Sequence, residues 1–179
     1  MLHHSEAHAA GILAAIRNVP DFPKPGIQFK DITPVLSEPK LFAETIDLLA
    51  GKYQPQEVDA VVGIDARGFI FAAAVAYKLK AGFIPIRKKG KLPFQTFEQS
   101  YDLEYGSNTV AIHIDALKAG ARVLLVDDLL ATGGTAGAAA KLVERVGARI
   151  LELVFVIELS FLNGRDRLKP YPVRSLVTY

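Results

Sequence analysis

The residues with the clearest chemical meaning lie in Ala121–Ala140, ARVLLVDDLLATGGTAGAAA. Asp127 and Asp128 follow the apolar run Val123–Val126, where a buried parallel strand is predicted to end. Ala131, Thr132, Gly133, Gly134 and Thr135 then form a small-residue loop, and Gly137–Val146 reads as the helix leaving it. Glycines let backbone N–H groups approach an anion and adopt positive φ. Thr132 and Thr135 add hydroxyl donors, and a helix start adds unpaired N–H groups and the positive end of its dipole. Carboxylates beside a phosphate would repel it, so the acids make sense facing a ribose diol or a metal ion. Strand, acids, loop and helix together suit a sugar phosphate at the carboxyl end of a strand. The competing reading is a glycine-rich turn that holds nothing.

Further charges stand at other predicted strand ends. Asp59–Ile64 is a strand ending in Asp65-Ala66-Arg67-Gly68, with the helix Phe69–Leu79 behind it. The strand Gly82–Ile86 runs into Arg87-Lys88-Lys89-Gly90-Lys91, four cations in five residues. Arg67, Arg87, Lys88 and Lys91 form a cationic set able to stabilise a leaving diphosphate. Alone, the RKKGK run also reads as a solvated basic turn. The chain has neither a Walker A loop nor the G-x-G-x-x-G fingerprint.

The elements that must position these groups follow from periodicity. His8–Arg17 reads as a short helix, with His3 and His4 before it a solvated end. Asn18–Leu36 carries four prolines and a glycine, which exclude a long helix, so a stiff irregular segment is expected. Its Phe22 and Phe29 suit a flat ligand, or a cover over the core. Glu38–Tyr53 reads as a helix with Ser37 as N-cap. Leu92–Asn108 is an excursion of the length used for lids and binding loops. Asn108–Asp115 and Leu151–Glu158 read as strands, Leu162–Lys169 as one helical turn and Val173–Val177 as a last strand. Alternating strands and helices predict an α/β fold, a mostly parallel central sheet with helices on both faces.

Composition narrows the function classes. A length of 179 residues suits one domain, and half of the residues are hydrophobic without a membrane-length run. A formal net charge of +2 is too small to argue for nucleic acid. MLHHSEAHAAG lacks the basic region and apolar core of a signal peptide, and there is no cysteine, so a cytoplasmic location is expected.

VLLVDDLLATGGT resembles the signature of the type I phosphoribosyltransferases. PDFPKPGIQFKDITPVL, GIDARGF, IRKKGKLP, YDLEYG and VDDLLATGGT occur in the order found in the adenine phosphoribosyltransferase family, over about Ile16 to Leu162. The resemblance implies the type I phosphoribosyltransferase fold as a single domain over 1–179, with an N-terminal hood at about 18–36 and a flexible lid at about 92–108. It implies transfer of the phosphoribosyl group from phosphoribosyl diphosphate to adenine, giving AMP and diphosphate, with inversion through an oxocarbenium-like transition state. Ala131–Thr135 would hold the 5-phosphate, Asp127 and Asp128 the ribose hydroxyls. Arg67 would bind diphosphate from a loop that can carry a non-proline cis peptide. Arg87, Lys88 and Lys91 would reach diphosphate in their own or a neighbouring subunit's site, since members are homodimers. Phe29 would stack on adenine, Gln28 and Lys30 would lie at its edge, and Leu159 would pack on its other face. Glu104 would manage the proton near N7, and Tyr105 would close over the reacting centre. Mg2+ would bind mainly through diphosphate, ribose and water, with no dedicated protein ligand set. Lys30 stands where an arginine is common, keeping the charge without the planar fork, and Gln28 occupies a variable position.

Two other functions share most of these residues. An enzyme for hypoxanthine or xanthine would differ only around Gln28, Phe29, Lys30 and Leu159. A non-catalytic sensor of nucleotide or phosphoribosyl diphosphate on the same fold would ordinarily carry a nucleic-acid-binding element, for which the net charge gives little support.

Overall fold

The computed structural model describes residues 2–102 and 106–179, with side chains from residue 9 onward. His3 and His4 as side chains, and Glu104 and Tyr105 altogether, lie outside the described residues. The chain divides into two compact units, Met1–Leu48 and Leu49–Tyr179.

The first unit begins with helix α1 (Leu2–Ala15), which starts earlier than its apolar period suggested. Two short strands follow, β1 (Arg17–Pro20) and β2 (Gln28–Asp31), paired antiparallel with Arg17 opposite Asp31. The proline-rich segment is therefore a hairpin, not an irregular stretch. Pro20 sits at the end of β1, where a missing N–H costs least. Asp31 accepts from the Thr33 backbone N–H and hydroxyl, both at 2.9 Å, and starts the short helix α2 (Thr33–Ser37). Helix α3 (Pro39–Ala50) comes next. Ser37 is not its N-cap, because that residue ends α2 and its hydroxyl donates to the Pro34 carbonyl. Glu38 takes the capping role, its carboxylate accepting from the Lys40 N–H at 3.4 Å.

The second unit is built on a seven-stranded sheet in the order β5-β6-β4-β3-β7-β8-β9. Its strands are β3 (Ala60–Ile64), β4 (Gly82–Lys88), β5 (Thr96–Asp102), β6 (Ser107–His113), β7 (Arg122–Leu130), β8 (Arg149–Glu158) and β9 (Val173–Thr178). From β4 to β9 the neighbours run parallel, while β6 is antiparallel to both β4 and β5. Every residue of β3 is buried, as expected for a central parallel strand covered on both faces. Helices α4 (Gly68–Leu79) and α5 (Gly134–Arg145) flank the sheet. Among the described residues no helix is long and apolar enough to cross a membrane.

Three differences from the periodicity bear on the site. Strand β7 runs past Val126 to Leu130, because β8 pairs with it as far as Leu130 opposite Glu158. Asp127 and Asp128 are thus strand residues, not the first residues after it. Helix α5 starts at Gly134 rather than Gly137, since small residues let its first turn close against the sheet. Most of the excursion at 92–108 is a β-hairpin, with Phe97 opposite Ile112 and Tyr101 opposite Asn108. Phe97 and Tyr101 share one face of β5 and pack on the core, a short alternation hidden by polar neighbours.

Candidate active site

The topology places one cleft. Strand β4 lies on one side of β3 and β7 on the other, so the crevice between β3 and β7 is where the strand order reverses. Ligands in open α/β sheets bind at such a point, outside the carboxyl ends of the strands. A cavity of about 320 Å³ opens there, lined by Ile64–Arg67 after β3 and by Asp127–Ala136 from β7 into α5.

One half of the cavity, the loop into α5, has the features that suit an anion. Gly133 is its N-cap, with φ 81°, a conformation that favours glycine. The first helical bond runs from the Gly137 N–H to the Gly133 carbonyl at 2.9 Å. The N–H groups of Gly134, Thr135 and Ala136 therefore have no partner within the helix and, with the helix dipole, suit a phosphate. Thr132 is exposed and Thr135 half-buried at the same opening. The loop is backed by Gly164, in the 3-10 turns at Ser160–Leu162 and Gly164–Leu168 that take the place of a single helical turn. A Cβ on Gly133 would meet the Gly164 carbonyl, and a Cβ on Gly164 would meet the Ala131 carbonyl. Arg165 anchors those turns through Glu158, with Nε and Nη2 each 2.6 Å from its carboxylate. Arg165 and then Ser175 hold the Glu158 carboxyl below its ordinary pKa.

The acids stand opposite. Asp127 accepts the Asp128 backbone N–H at 2.9 Å, and its carboxylate occupies the place where Gly68, the first residue of α4, would carry a Cβ. Asp128 meets Arg67 at 2.7 Å, Nε to Oδ2. Burial pushes the Asp127 carboxyl well above the usual carboxylate range, and the Asp128 charge adds to the push. Burial also raises Asp128, against the opposing pull of the Arg67 cation. The peptide Asp65–Ala66 is cis.

Arg67, Asp127, Asp128 and Ala131–Thr135 thus come together. Of the cationic set, only Arg67 lines this cavity. Arg87 is tied to Asp65 at 2.9 Å and to the Lys91 carbonyl at 3.2 Å, so it reaches the rim through Asp65. Lys88, the last residue of β4, and Lys91, in the turn after it, are exposed, the strand running two residues longer than expected. Leu159 donates its N–H to the Leu130 carbonyl at 2.9 Å, beside the start of the Ala131–Thr135 loop. Gln28, Phe29 and Lys30 are on β2 in the first unit. There Asn18 bridges Gln28 at 2.7 Å and Lys30 at 3.1 Å, while Phe29 meets Phe22 edge to face at 5.1 Å. Phe22 is exposed, whereas Phe29 is half-buried.

Sequence reasoning did not single out Gly164, and it reached Tyr101 only as the first residue of YDLEYG, with no role of its own. Tyr101 accepts a hydrogen bond from the Thr135 hydroxyl at 3.0 Å. Asn163-Gly164 signals a turn, but nothing local says that the turn backs a loop thirty residues earlier. Asp127 and Asp128 offer hard oxygens suited to Mg2+. Among the described residues no cluster of three or more His, Cys, Asp or Glu could hold a metal ion.

Comparison with known proteins agrees with this geometry. The family described as phosphoribosyl transferase domain matches residues 31–176. An adenine phosphoribosyltransferase of Chloroflexus aurantiacus is 57% identical over 168 residues, covering 94% of this chain and 97% of that protein. The crystal structure of adenine phosphoribosyltransferase from Rhodothermus marinus superposes with a TM-score of 0.92 at 52% identity, over 97% of this chain and 99% of that one. The Saccharomyces cerevisiae adenine phosphoribosyltransferase, solved with an imino-altritol bisphosphate and adenine, gives a TM-score of 0.88 at 41% identity, over 95% and 98% of the two chains. This chain belongs to the phosphoribosyl transferase family, within its adenine phosphoribosyltransferase branch.

Proposed function

We propose that this protein transfers the 5-phosphoribosyl group of phosphoribosyl diphosphate to adenine, releasing AMP and diphosphate. The observation that carries this reading is one cavity lined by both the phosphate-ready loop Ala131–Thr135 and the acids Asp127 and Asp128. In this reading a ribose is held at its 5-phosphate by the loop and at its 2- and 3-hydroxyls by the acids. Hydroxyls donating to the two carboxylates offset the burial that raises their pKa values. The anomeric C–O bond to diphosphate breaks as the bond to adenine N9 forms. Arg67, beside Asp128, is placed to neutralise charge growing on the leaving diphosphate. Arg87, Lys88 and Lys91 join it on the strength of the sequence resemblance. Mg2+, when bound, screens the diphosphate charge.

The base is assigned to Gln28, Phe29, Lys30 and Leu159 by the sequence resemblance, as are proton handling to Glu104 and closure to Tyr105. The same resemblance supports one phosphoribosyltransferase domain over 1–179 and a cytoplasmic location. A homodimer is supported by the outer face of α4, where Ile70, Ala73 and Tyr77 are exposed at helical spacing and Tyr77 is 88% accessible. Light scattering is expected to give twice the chain mass, and Tyr77→Glu to shift it towards one. A monomeric wild type would contradict the dimer.

The reaction is tested by mixing the protein with Mg2+ and phosphoribosyl diphosphate, and separately adenine, hypoxanthine, guanine or xanthine. AMP from adenine alone is expected. An oxopurine nucleotide would overturn the base assignment, and no nucleotide at all would overturn the reaction.

A further inference from the structure

We propose that Tyr101 is a positioning residue for the phosphate loop, its phenol hydroxyl setting the direction of the Thr135 hydroxyl. This rests on the sugar-phosphate reading of that loop. The Thr135 hydroxyl lies 3.0 Å from the Tyr101 hydroxyl and donates to it. The Tyr101 ring also lies against the loop, its Cδ2 3.1 Å from the place a Cβ on Gly134 would take. Strand β5 holds Tyr101 there. The Arg145 guanidinium stacks 4.4 Å from the centre of the Phe97 ring, and Arg145 donates to the Glu98 carbonyl at 3.4 Å. The strand is thus pinned to α5 at both ends, by Arg145 at the helix C-terminus and by Thr135 in its first turn.

A threonine hydroxyl has one proton to give. While it donates to Tyr101, Thr135 cannot donate to a phosphate oxygen. A phenol can both donate and accept, so the bond can reverse without moving a heavy atom. Tyr101 then donates to Thr135 Oγ1, and the Thr135 proton turns to the anion. Donation by the phenol polarises the threonine O–H and strengthens its bond to phosphate. Phenylalanine at 101 keeps the ring against Gly134 but leaves the threonine hydroxyl without this partner.

The test measures ribose 5-phosphate affinity by calorimetry for wild type, Tyr101→Phe, Thr135→Val and the double variant, with adenine turnover of all four measured in parallel. Tyr101→Phe is expected to weaken ribose 5-phosphate about fivefold, the worth of one ordinary hydrogen bond. It should raise KM for phosphoribosyl diphosphate by a similar factor and leave KM for adenine unchanged. In the Thr135→Val background the same change should have no further effect, because the hydroxyl it orients is gone. Equal losses in both backgrounds, or unchanged affinity in Tyr101→Phe, would overturn the positioning role. Wild type that binds ribose 5-phosphate without turning over adenine would overturn the reaction and leave this proposal to the affinity cycle. Wild type that turns over adenine without binding ribose 5-phosphate would overturn the sugar-phosphate reading of the loop and this proposal with it.

Discussion

Gly133→Ala is expected to lower kcat/KM for phosphoribosyl diphosphate by about a hundredfold or more while the protein remains folded. Two costs coincide at this residue. Its φ of 81° strains any side-chain-bearing residue by roughly 1–2 kcal/mol, and a Cβ there has no room because the Gly164 carbonyl already occupies the position. The loop can relieve the clash only by moving outward. A displacement of about 1 Å in groups that orient a substrate is enough for a loss of about 10². Steady-state kinetics on phosphoribosyl diphosphate, with thermal melting as the check on folding, measure it. Gly120→Ala is the internal control: its φ of 76° carries similar strain, but nothing lies within 4 Å of the added carbon. Near-wild-type kinetics in Gly133→Ala would mean that the loop does not hold the phosphate.

Arg67→Ala should cost more in turnover, by about 10² to 10³ in kcat, the usual loss when a preorganised group facing a developing charge is removed. It should also change how stability depends on pH. Asp128 already has a raised pKa in the folded protein, from burial opposed by Arg67. Without the cation the pKa climbs further. A carboxyl whose folded pKa lies above its unfolded value loses stability as pH rises through that interval, because ionising it costs more in the fold. The interval begins near the ordinary value of 3.8 and widens in the variant. Arg67→Ala should therefore melt below wild type at neutral pH, with the gap closing as the pH falls towards 4. Melting curves across pH measure this, and a gap independent of pH would show that Asp128 does not depend on Arg67.

The strand–loop–helix unit that lines the cavity was legible because its parts are contiguous. Asp127, Asp128 and Ala131–Thr135 follow one another on a single strand–loop–helix unit, and the chemistry of each residue type speaks for itself. The parallel core was legible for a related reason: β3, β7 and β8 are short apolar runs that only a doubly covered sheet accommodates. What was not legible depends on pairing between distant segments. The extension of β7 through both acids is set by β8 beside it. Strand β5 looks like a polar loop until β6 supplies its partner. The same holds for Gly164 behind the phosphate loop and Tyr101 on Thr135, separated in sequence and joined only by the fold. The hairpin at β1 and β2 was obscured by prolines, which exclude a helix but are tolerated at the end of a two-stranded ribbon.

The central claim is a transfer, and phosphorus NMR of the reacting mixture tests it most directly. The protein, Mg2+ and phosphoribosyl diphosphate are observed first alone and then after adenine is added. The expected result is a stable substrate spectrum before addition, followed by its replacement with AMP and diphosphate in equal amounts. Diphosphate appearing with ribose 5-phosphate rather than AMP would contradict transfer, because water would then be the acceptor. Substrate that stays intact after adenine is added would contradict catalysis altogether.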